Sequence, residues 1–415
     1  MNPHTVVVGA GFGGLECAAA LGAAGLPVTL IDRHNYHLFV PLLYQVATAA
    51  LSPADIAQPI RRILRRHRSV TVRMGEVSGV DAARRCVRLS DGTEVAYDRL
   101  VIAAGSVCSF FGHDEWARHA PCPRSVNDAG EIRSRLLLAF ERAELATDPA
   151  EVEALMTSVV VGGGPTGVEM AGSIAELARH TLARDFRRID PRTARVLLVE
   201  AGPRLLAGFS EELSEYAADR LRKLRVEVVT GAAVEEIGAD GVVVGGTAIP
   251  AATVIWGAGV RAAPAARWLG IEGGKSGRIE VRPNLSIPGL DGVYAIGDVA
   301  ACPGPDGEPL PALAQVAKQQ GRHLGRALAA AGADGTVPAF RFRNRGNVAI
   351  IGRNAAVFET DRVRLSGFTA WLLWALIHIY LLVGFEQRVL VAVQWLWRYV
   401  TYDRGARLIT RVARR

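Results

Sequence analysis

The 415 residues leave room for two or three domains, and half of them are hydrophobic, with a mean hydropathy of +0.19 that is high for a soluble enzyme. The formal charge of +7 argues against a nucleic-acid partner by its placement: residues 401–415 hold five arginines against Asp403, four of the seven net charges, and a short basic tail after an apolar stretch suits a membrane surface. Five cysteines (Cys17, Cys86, Cys108, Cys122, Cys302), an odd number with no CxxC spacing, are expected to be reduced thiols, and no metal site is visible.

No signal peptide is expected ahead of the first strand. His4 to Asp32 reads as a complete βαβ: strand Thr5–Val8, helix Gly13–Ala24, strand Val28–Ile31. Between strand and helix lies Gly9-Ala10-Gly11-Phe12-Gly13-Gly14, whose glycines allow a tight turn, close backbone approach to a pyrophosphate and close helix packing. Asp32 ends the second strand, followed by Arg33, where a carboxylate can hold adenosine ribose hydroxyls. The loop from Arg33 to Leu51 is rich in aromatics and carries no redox cysteine pair, which argues against thiol–disulfide chemistry. His37 in this loop is read as structural.

Residues 52–67 look helical and basic, and Val70 to Val77 reads as a strand whose Val77 backbone can pair an adenine edge. Hairpin strands are expected over Val80–Leu89 and Thr93–Tyr97 around Asp91-Gly92. Leu100 to Ser106 is an apolar strand ending in small residues, so the backbone of Ala104 and Gly105 can approach a ligand. After a linker and a long amphipathic helix, Ser158–Val161 and Gly162-Gly163-Gly164-Pro165-Thr166-Gly167 repeat the first design, leading into a helix over Val168–Arg179. Two such turns imply two bound dinucleotides. An Arg-rich insertion, His180 to Arg195, delays the second strand, Val196–Val199. Glu200 at its end would bind a ribose 2′-hydroxyl and repel a 2′-phosphate, favouring NADH over NADPH. Ala258 and Gly259 repeat the small-residue strand end. Glu169 places a carboxylate on the first turn of the second helix.

Gly297-Asp298 closes an apolar strand, where the Asp can reach a ribityl hydroxyl or flavin phosphate. A helix is expected to open near Pro311. It carries Ala314, Gln315 and Gln319, the last two sharing one face. Residues 340–358 look strand-like. Phe368 to Phe385 then has no Asp, Glu, Lys or Arg, Glu386-Gln387-Arg388 interrupts, and Val389–Val400 follows with a polar stripe of Gln387, Gln394, Arg398 and Thr401. The first segment, about 27 Å as a helix, is marginal for a bilayer core. The stripe, the scattered tryptophans and the tail favour helices lying in the membrane surface.

The stretches GAGFGGL from Gly9, FVPLLYQVATAAL from Phe39, GGGPTGVEMAG from Gly162, VEAGPRLL from Val199, WGAGVRA from Trp256, AIGD from Ala295, AQVAKQQGR from Ala314 and LSGFTAWLLW from Leu365 resemble the type II NADH dehydrogenases, nearly end to end. These are single-subunit NADH:quinone oxidoreductases within the two-dinucleotide-binding flavoproteins. The resemblance implies an α/β fold: two Rossmann-like dinucleotide-binding domains in a glutathione-reductase-like layout plus a C-terminal amphipathic membrane anchor. The FAD-binding domain would take residues 1–115 and 271–335, the NADH-binding domain 116–270 and the membrane-associated region 336–415. FAD and NADH would be the cofactors. The implied reaction is hydride transfer to flavin, then two-electron reduction of a membrane quinone without proton pumping, at the cytoplasmic face of the inner membrane. Glu169 would relay protons, with Gln315 and Gln319 at the quinone-site motif. A second copy of the chain is a candidate partner. Two alternatives stay open: another flavin-linked quinone reductase such as sulfide:quinone oxidoreductase, and a non-enzymatic NADH-sensing flavoprotein.

Overall fold

The computed structural model describes residues 2–331, 336–383, 385–401 and 404–410. It divides into two compact units. The first comprises Met1–Leu38, Gln58–Val107 and Val260–Asn344, and the second Phe39–Ala57, Cys108–Gly259 and Arg345–Arg415. The switches between them thus fall after Val107 and Gly259, rather than at 115 and 270. The aromatic segment Phe39–Ala57 and the chain from Arg345 onward join the second unit.

The first unit is built on a parallel five-stranded sheet in the order Val293–Ala295, Arg99–Ile102, Thr5–Val8, Val28–Asp32, Val70–Met74. Its inner strands are apolar on both faces, as a sheet covered on both sides requires, while the edge strand Val70–Met74 is partly exposed. Val6, Val7, Leu30, Val101 and Ile102 are fully enclosed, each contributing about 1.5–3 kcal/mol by burial. Helices Phe12–Ala23 and Ala314–Ala330 cross at near backbone contact, because a Cβ on Gly321 would strike the Gly13 carbonyl and one on Gly325 the Cys17 carbonyl.

The second unit repeats the theme with a parallel four-stranded sheet in the order Val226–Thr230, Arg195–Glu200, Thr157–Val161, Thr253–Trp256. Its long helix, Val126–Leu145, starts at a reciprocal cap in which Ser125 and Asp128 bond each other's backbone N–H. Helix Pro165–Glu176 packs on the antiparallel strand Asn347–Gly352, where a Cβ on Gly172 would meet the Ile351 carbonyl.

Several local expectations need correction. The basic segment 52–67 is not one helix: Pro53–Ile56 and Ile60–Leu64 are separated by extended Ala57–Pro59. Pro59 has no N–H to donate and disfavours helix in the residue before it. Strand Val70–Met74 ends before Val77, which opens a separate antiparallel strand, Val77–Asp81, paired with Cys86–Leu89. The stretch 340–358 becomes a hairpin of Asn347–Gly352 and Ala355–Glu359, turning at Asn354 with φ +59°. The helix expected near Pro311 opens at Ala314 after an extended Leu313. The two C-terminal helices are Gly367–Leu381 and Phe385–Thr401, with Glu386, Gln387 and Arg388 in the first turn of the second. Cys108 and Cys122 are joined in a disulfide, so only Cys17, Cys86 and Cys302 are free, all buried. The spacing hid this pair because the loop between them folds back on Trp256.

Candidate active site

In the first unit the glycine turn divides its labour. Gly9 sits at φ +100°, where a Cβ would collide with the Ala103 carbonyl, which brings the strand end Ala104-Gly105 alongside. A Cβ on Gly14 would strike the Gly9 carbonyl. Gly11 is different: its φ is −68° and a Cβ there would meet nothing within 4 Å. No packing or backbone constraint asks for glycine at that position. The free backbone N–H groups at the start of Phe12–Ala23 are the kind of place where a diphosphate can lie.

Asp32 reaches back over this turn, accepting from the N–H of Ala10 at 2.6 Å and of His34 at 2.7 Å. Neighbouring Arg33 is exposed. His37 is buried, donates from Nδ1 to the Ala10 carbonyl at 2.8 Å and meets the Phe12 ring edge-on. Burial lowers its pKa, so it stays neutral and serves as a strut. Gly297, at φ +74°, donates its N–H to Gln320 Oε1 at 2.7 Å, and the Asp298 carboxylate lies 2.6 Å from Ser106 Oγ. Gln320 and Ser106 escaped the sequence reading, although a buried glutamine inside a helix is the kind of signal that marks a backbone partner. Val77 is buried at the start of its strand. Gln315 lies in the first turn of Ala314–Ala330. Gln319 uses both ends of its amide on Arg343, donating to the carbonyl at 2.9 Å and accepting from the N–H at 3.1 Å.

The second unit reproduces the cradle. Gly162 has φ +108°, with a Cβ blocked by Gly257 and Ala258, and a Cβ on Gly167 would hit the Gly162 carbonyl. Gly164, like Gly11, is unstrained and uncrowded, at φ −71°. Pro165 and Thr166 are exposed at the helix start. Glu200 takes the role of Asp32, accepting from the N–H of Gly163 and, at 2.6 Å, of Gly202. The Phe111 ring lies over Gly259.

Glu169 is the fifth residue of Pro165–Glu176 and lies past its first turn, so the favourable end of the helix dipole acts on it weakly. Burial raises its carboxyl to about 8, and its hydrogen bond from the Ile350 N–H is a long 3.4 Å. At neutral pH it is a protonated acid. Glu169 belongs to the second unit, Gln315 and Gln319 to the first.

The C-terminal helices are Gly367–Leu381 and Phe385–Thr401. Their polar stripe faces the protein: Gln387 is buried, Gln394 donates to Asp55 at 3.2 Å, and Arg398 donates to Gln394 at 2.9 Å. Leu376 and Tyr380 on the first helix, and Val393, Leu396, Trp397 and Val400 on the second, are instead 59–71 % exposed. The basic tail is also partly spent. Arg404 is buried, bonded to the Thr48 and Ser173 carbonyls at 3.0 and 3.1 Å and to Glu176 at 3.3 Å, and Arg407 pairs with Asp185 at 3.1 Å. Arg411, Arg414 and Arg415 lie outside the described residues. No described helix is long and apolar enough to cross a membrane.

The family model for pyridine nucleotide-disulphide oxidoreductases matches residues 3–321. The chain is 42 % identical to the type II NADH:quinone oxidoreductase Ndh of Mycobacterium tuberculosis, with 98 % of this chain and 90 % of that protein aligned. It belongs to the type II NADH:quinone oxidoreductases. NdhA of the same organism is 40 % identical over 98 % of this chain and 89 % of its own length. The structure of NDH2 from Plasmodium falciparum in complex with NADH superposes with a TM-score of 0.89 over 99 % of this chain and all of that one, at 18 % identity, which shows the fold alone. Membership of this family favours the first reading over the sulfide:quinone alternative. Cys17 is fully enclosed and pushed up to about 12, far from a reactive thiolate.

Proposed function

We propose that the chain oxidises NADH and reduces a membrane quinone, with FAD held by the first unit and NADH by the second, and pumps no protons. The observation that carries this reading is the pair Gly11 and Gly164: two glycines, one per unit, that neither strain nor packing requires. Each stands at a helix N-terminus beside a carboxylate-braced turn, which fits a dinucleotide diphosphate. FAD, when bound, supplies the two-electron chemistry. The residues of the chain do the rest. Asp32 and Asp298 offer carboxylates to flavin-side hydroxyls, and Glu200 offers one to the NADH ribose. Gln315 presents an amide at the start of its helix, where a quinone carbonyl could be held. Gln319 supports that region by fixing the 343 backbone. Glu169, protonated at neutral pH, is the proton donor for quinone reduction.

The exposed apolar faces of the C-terminal helices support a monotopic seat in the membrane surface, on the cytoplasmic face of the inner membrane. Apolar burial contributes to this anchoring, and of the tail arginines Arg404 and Arg407 are committed within the protein.

The test is steady-state NADH oxidation with and without a soluble ubiquinone analogue. Oxidation that depends on the quinone is expected, and a rate the quinone leaves unchanged contradicts the proposal.

A further inference from the structure

We propose that the Cys108–Cys122 disulfide is a reversible redox site, a clasp that an external dithiol opens and whose opening weakens the binding of NADH, given the reading above that the second unit holds that nucleotide.

The clasp closes around one residue, Trp256, the last of strand Thr253–Trp256. The Trp256 backbone N–H donates to the Pro121 carbonyl at 3.1 Å, and its indole Nε1–H donates to the Ser109 carbonyl at 2.8 Å. Ser109 and Pro121 are the chain neighbours of the two bridged cysteines. The disulfide therefore ties together the two segments that grip the tryptophan. A third bond, from the Ser109 N–H to the Gly259 carbonyl at 3.1 Å, fastens the first segment just beyond the strand. Between the cysteines the chain folds over the indole, with the buried rings of Phe110 and Trp116 centred 5.1 and 5.8 Å from it.

The grip reaches the nucleotide cradle within two residues. Gly257 and Ala258 follow Trp256 and lie so close to Gly162 that a Cβ there would collide with both. The Gly257 N–H also donates to the Val161 carbonyl at 2.7 Å. Gly162 is the tight bend of the glycine turn, so the strand end that the clasp holds is the surface against which that turn is set. Backbone geometry inside the loop points the same way. Phe111 takes φ +52° and Gly112 follows at φ +102°. An aromatic residue keeps left-handed backbone only where its surroundings impose it. The Phe111 ring covers Gly259 but is 68 % exposed, so core burial does not supply that constraint, whereas closure of the loop does.

The bridge is also the sulfur that a reductant can reach. Cys108 and Cys122 are half-buried, whereas the free thiols of Cys17, Cys86 and Cys302 are buried. A thiolate of the external dithiol attacks one bridge sulfur, the S–S bond breaks, and the other sulfur leaves as a thiolate and takes up a proton. The second thiol of the reductant then resolves the mixed disulfide. Two electrons and two protons end on Cys108 and Cys122, and the reductant departs as its own disulfide. Opening is local, because Arg135 on helix Val126–Leu145 still holds the Arg118 and His119 carbonyls, each at 2.8 Å. The strand end gains freedom that NADH must remove on binding, and that ordering costs affinity. Disulfides on the reducing side of a membrane are characteristically transient and redox-sensing, which suits the cytoplasmic seat proposed above.

The experiment compares the holoenzyme oxidised with glutathione disulfide and the same protein reduced with dithiothreitol and desalted without oxygen. Alkylation and mass analysis of the native protein should find Cys108 and Cys122 modified only after reduction. The NADH concentration that half-saturates the rate of flavin bleaching should rise about threefold to tenfold on reduction, with the limiting rate changing less. Calorimetry with NAD+, which transfers no electrons to the flavin, should show the same loss of affinity, and glutathione disulfide should restore it. Cys108→Ser with Cys122→Ser should behave as the reduced form and ignore dithiothreitol, with flavin content and melting midpoint reporting its fold. Equal half-saturation and equal NAD+ affinity in oxidised and reduced wild type would overturn the proposal, even if reduction lowered the melting midpoint. A bridge that dithiothreitol leaves intact in the native protein would overturn it too. Neither bleaching by NADH nor NAD+ binding in either form would instead remove the reading of the second unit as the nucleotide site.

Discussion

The Glu200 carboxylate accepts a hydrogen bond from the backbone N–H of Gly163, in the middle of the glycine turn it faces. Asp32 does the same to Ala10 in the other unit. Each carboxylate thus braces the turn and presents negative charge beside it. A 2′-phosphate brought to Glu200 would meet that charge at a cost of about 2–4 kcal/mol at an effective dielectric near 20. Glu200→Gln should therefore narrow the preference for NADH over NADPH by about tenfold or more. Paired kcat/KM values for the two nucleotides check this, and a wild type that uses both equally would remove the assignment.

The half-buried Glu169 also makes a prediction about stability. Its folded pKa, about 8, lies above the ordinary 4.5, so between these values the unfolded chain releases a proton that the native protein keeps. Stability from this site is fully present below pH 4.5 and is lost as pH rises towards 8. Glu169→Gln removes the dependence. Its melting midpoint should match the wild type near pH 5 and exceed it near pH 8, by about 2–4 kcal/mol in stability. Thermal melts at the two pH values decide it, and an equal offset at both would contradict the raised pKa.

Arg404 binds Thr48, Ser173 and Glu176 from a buried position. Arg404→Ala leaves Glu176 and two carbonyls without that donor, and should cost about 3 kcal/mol, visible as a lower melting midpoint. Arg404→Lys should recover part of the loss, because a point charge replaces the fork without its geometry.

Cys108 and Cys122 form a disulfide across a separation of 14 residues. Thiol titration of the unfolded, unreduced protein should count three thiols, rising to five after reduction. Cys108→Ser with Cys122→Ser should cost about 2–3 kcal/mol. Five thiols before reduction would contradict the pairing.

Membrane seating should follow the apolar face rather than the basic tail. Val393→Glu with Trp397→Glu places two charges on that face and should abolish co-sedimentation with vesicles. Changing vesicles from anionic to zwitterionic should reduce binding by less than those substitutions do. Unchanged sedimentation of the double variant would move the docking surface elsewhere.

The parts of this account that were legible in the sequence are those the backbone imposes at fixed spacing. The Gly9 and Gly162 turns, Asp32 and Glu200, and the Gly297-Asp298 strand end are local constraints that leave a residue pattern behind them. Glu169 was visible as a carboxylate beside such a turn, but its acidity was not, since that depends on enclosure. Gln45, Trp395 and Arg404 find partners more than 200 residues away, or in another element entirely, and no local pattern announces them. The polar stripe of Phe385–Thr401 is legible in the sequence, but the surface it packs on is not. Periodicity tells which residues share a face, and only the fold tells that Gln394 has Asp55 waiting for it.

The central claim, that one chain takes electrons from NADH and passes them to a quinone through bound FAD, is tested most directly by mixing in the absence of oxygen. The purified holoprotein should be yellow, and acid precipitation should release its flavin. NADH should bleach the flavin band, and a soluble ubiquinone analogue added afterwards should restore it. A band that NADH leaves unchanged, or that stays bleached when the quinone is added, would contradict the account.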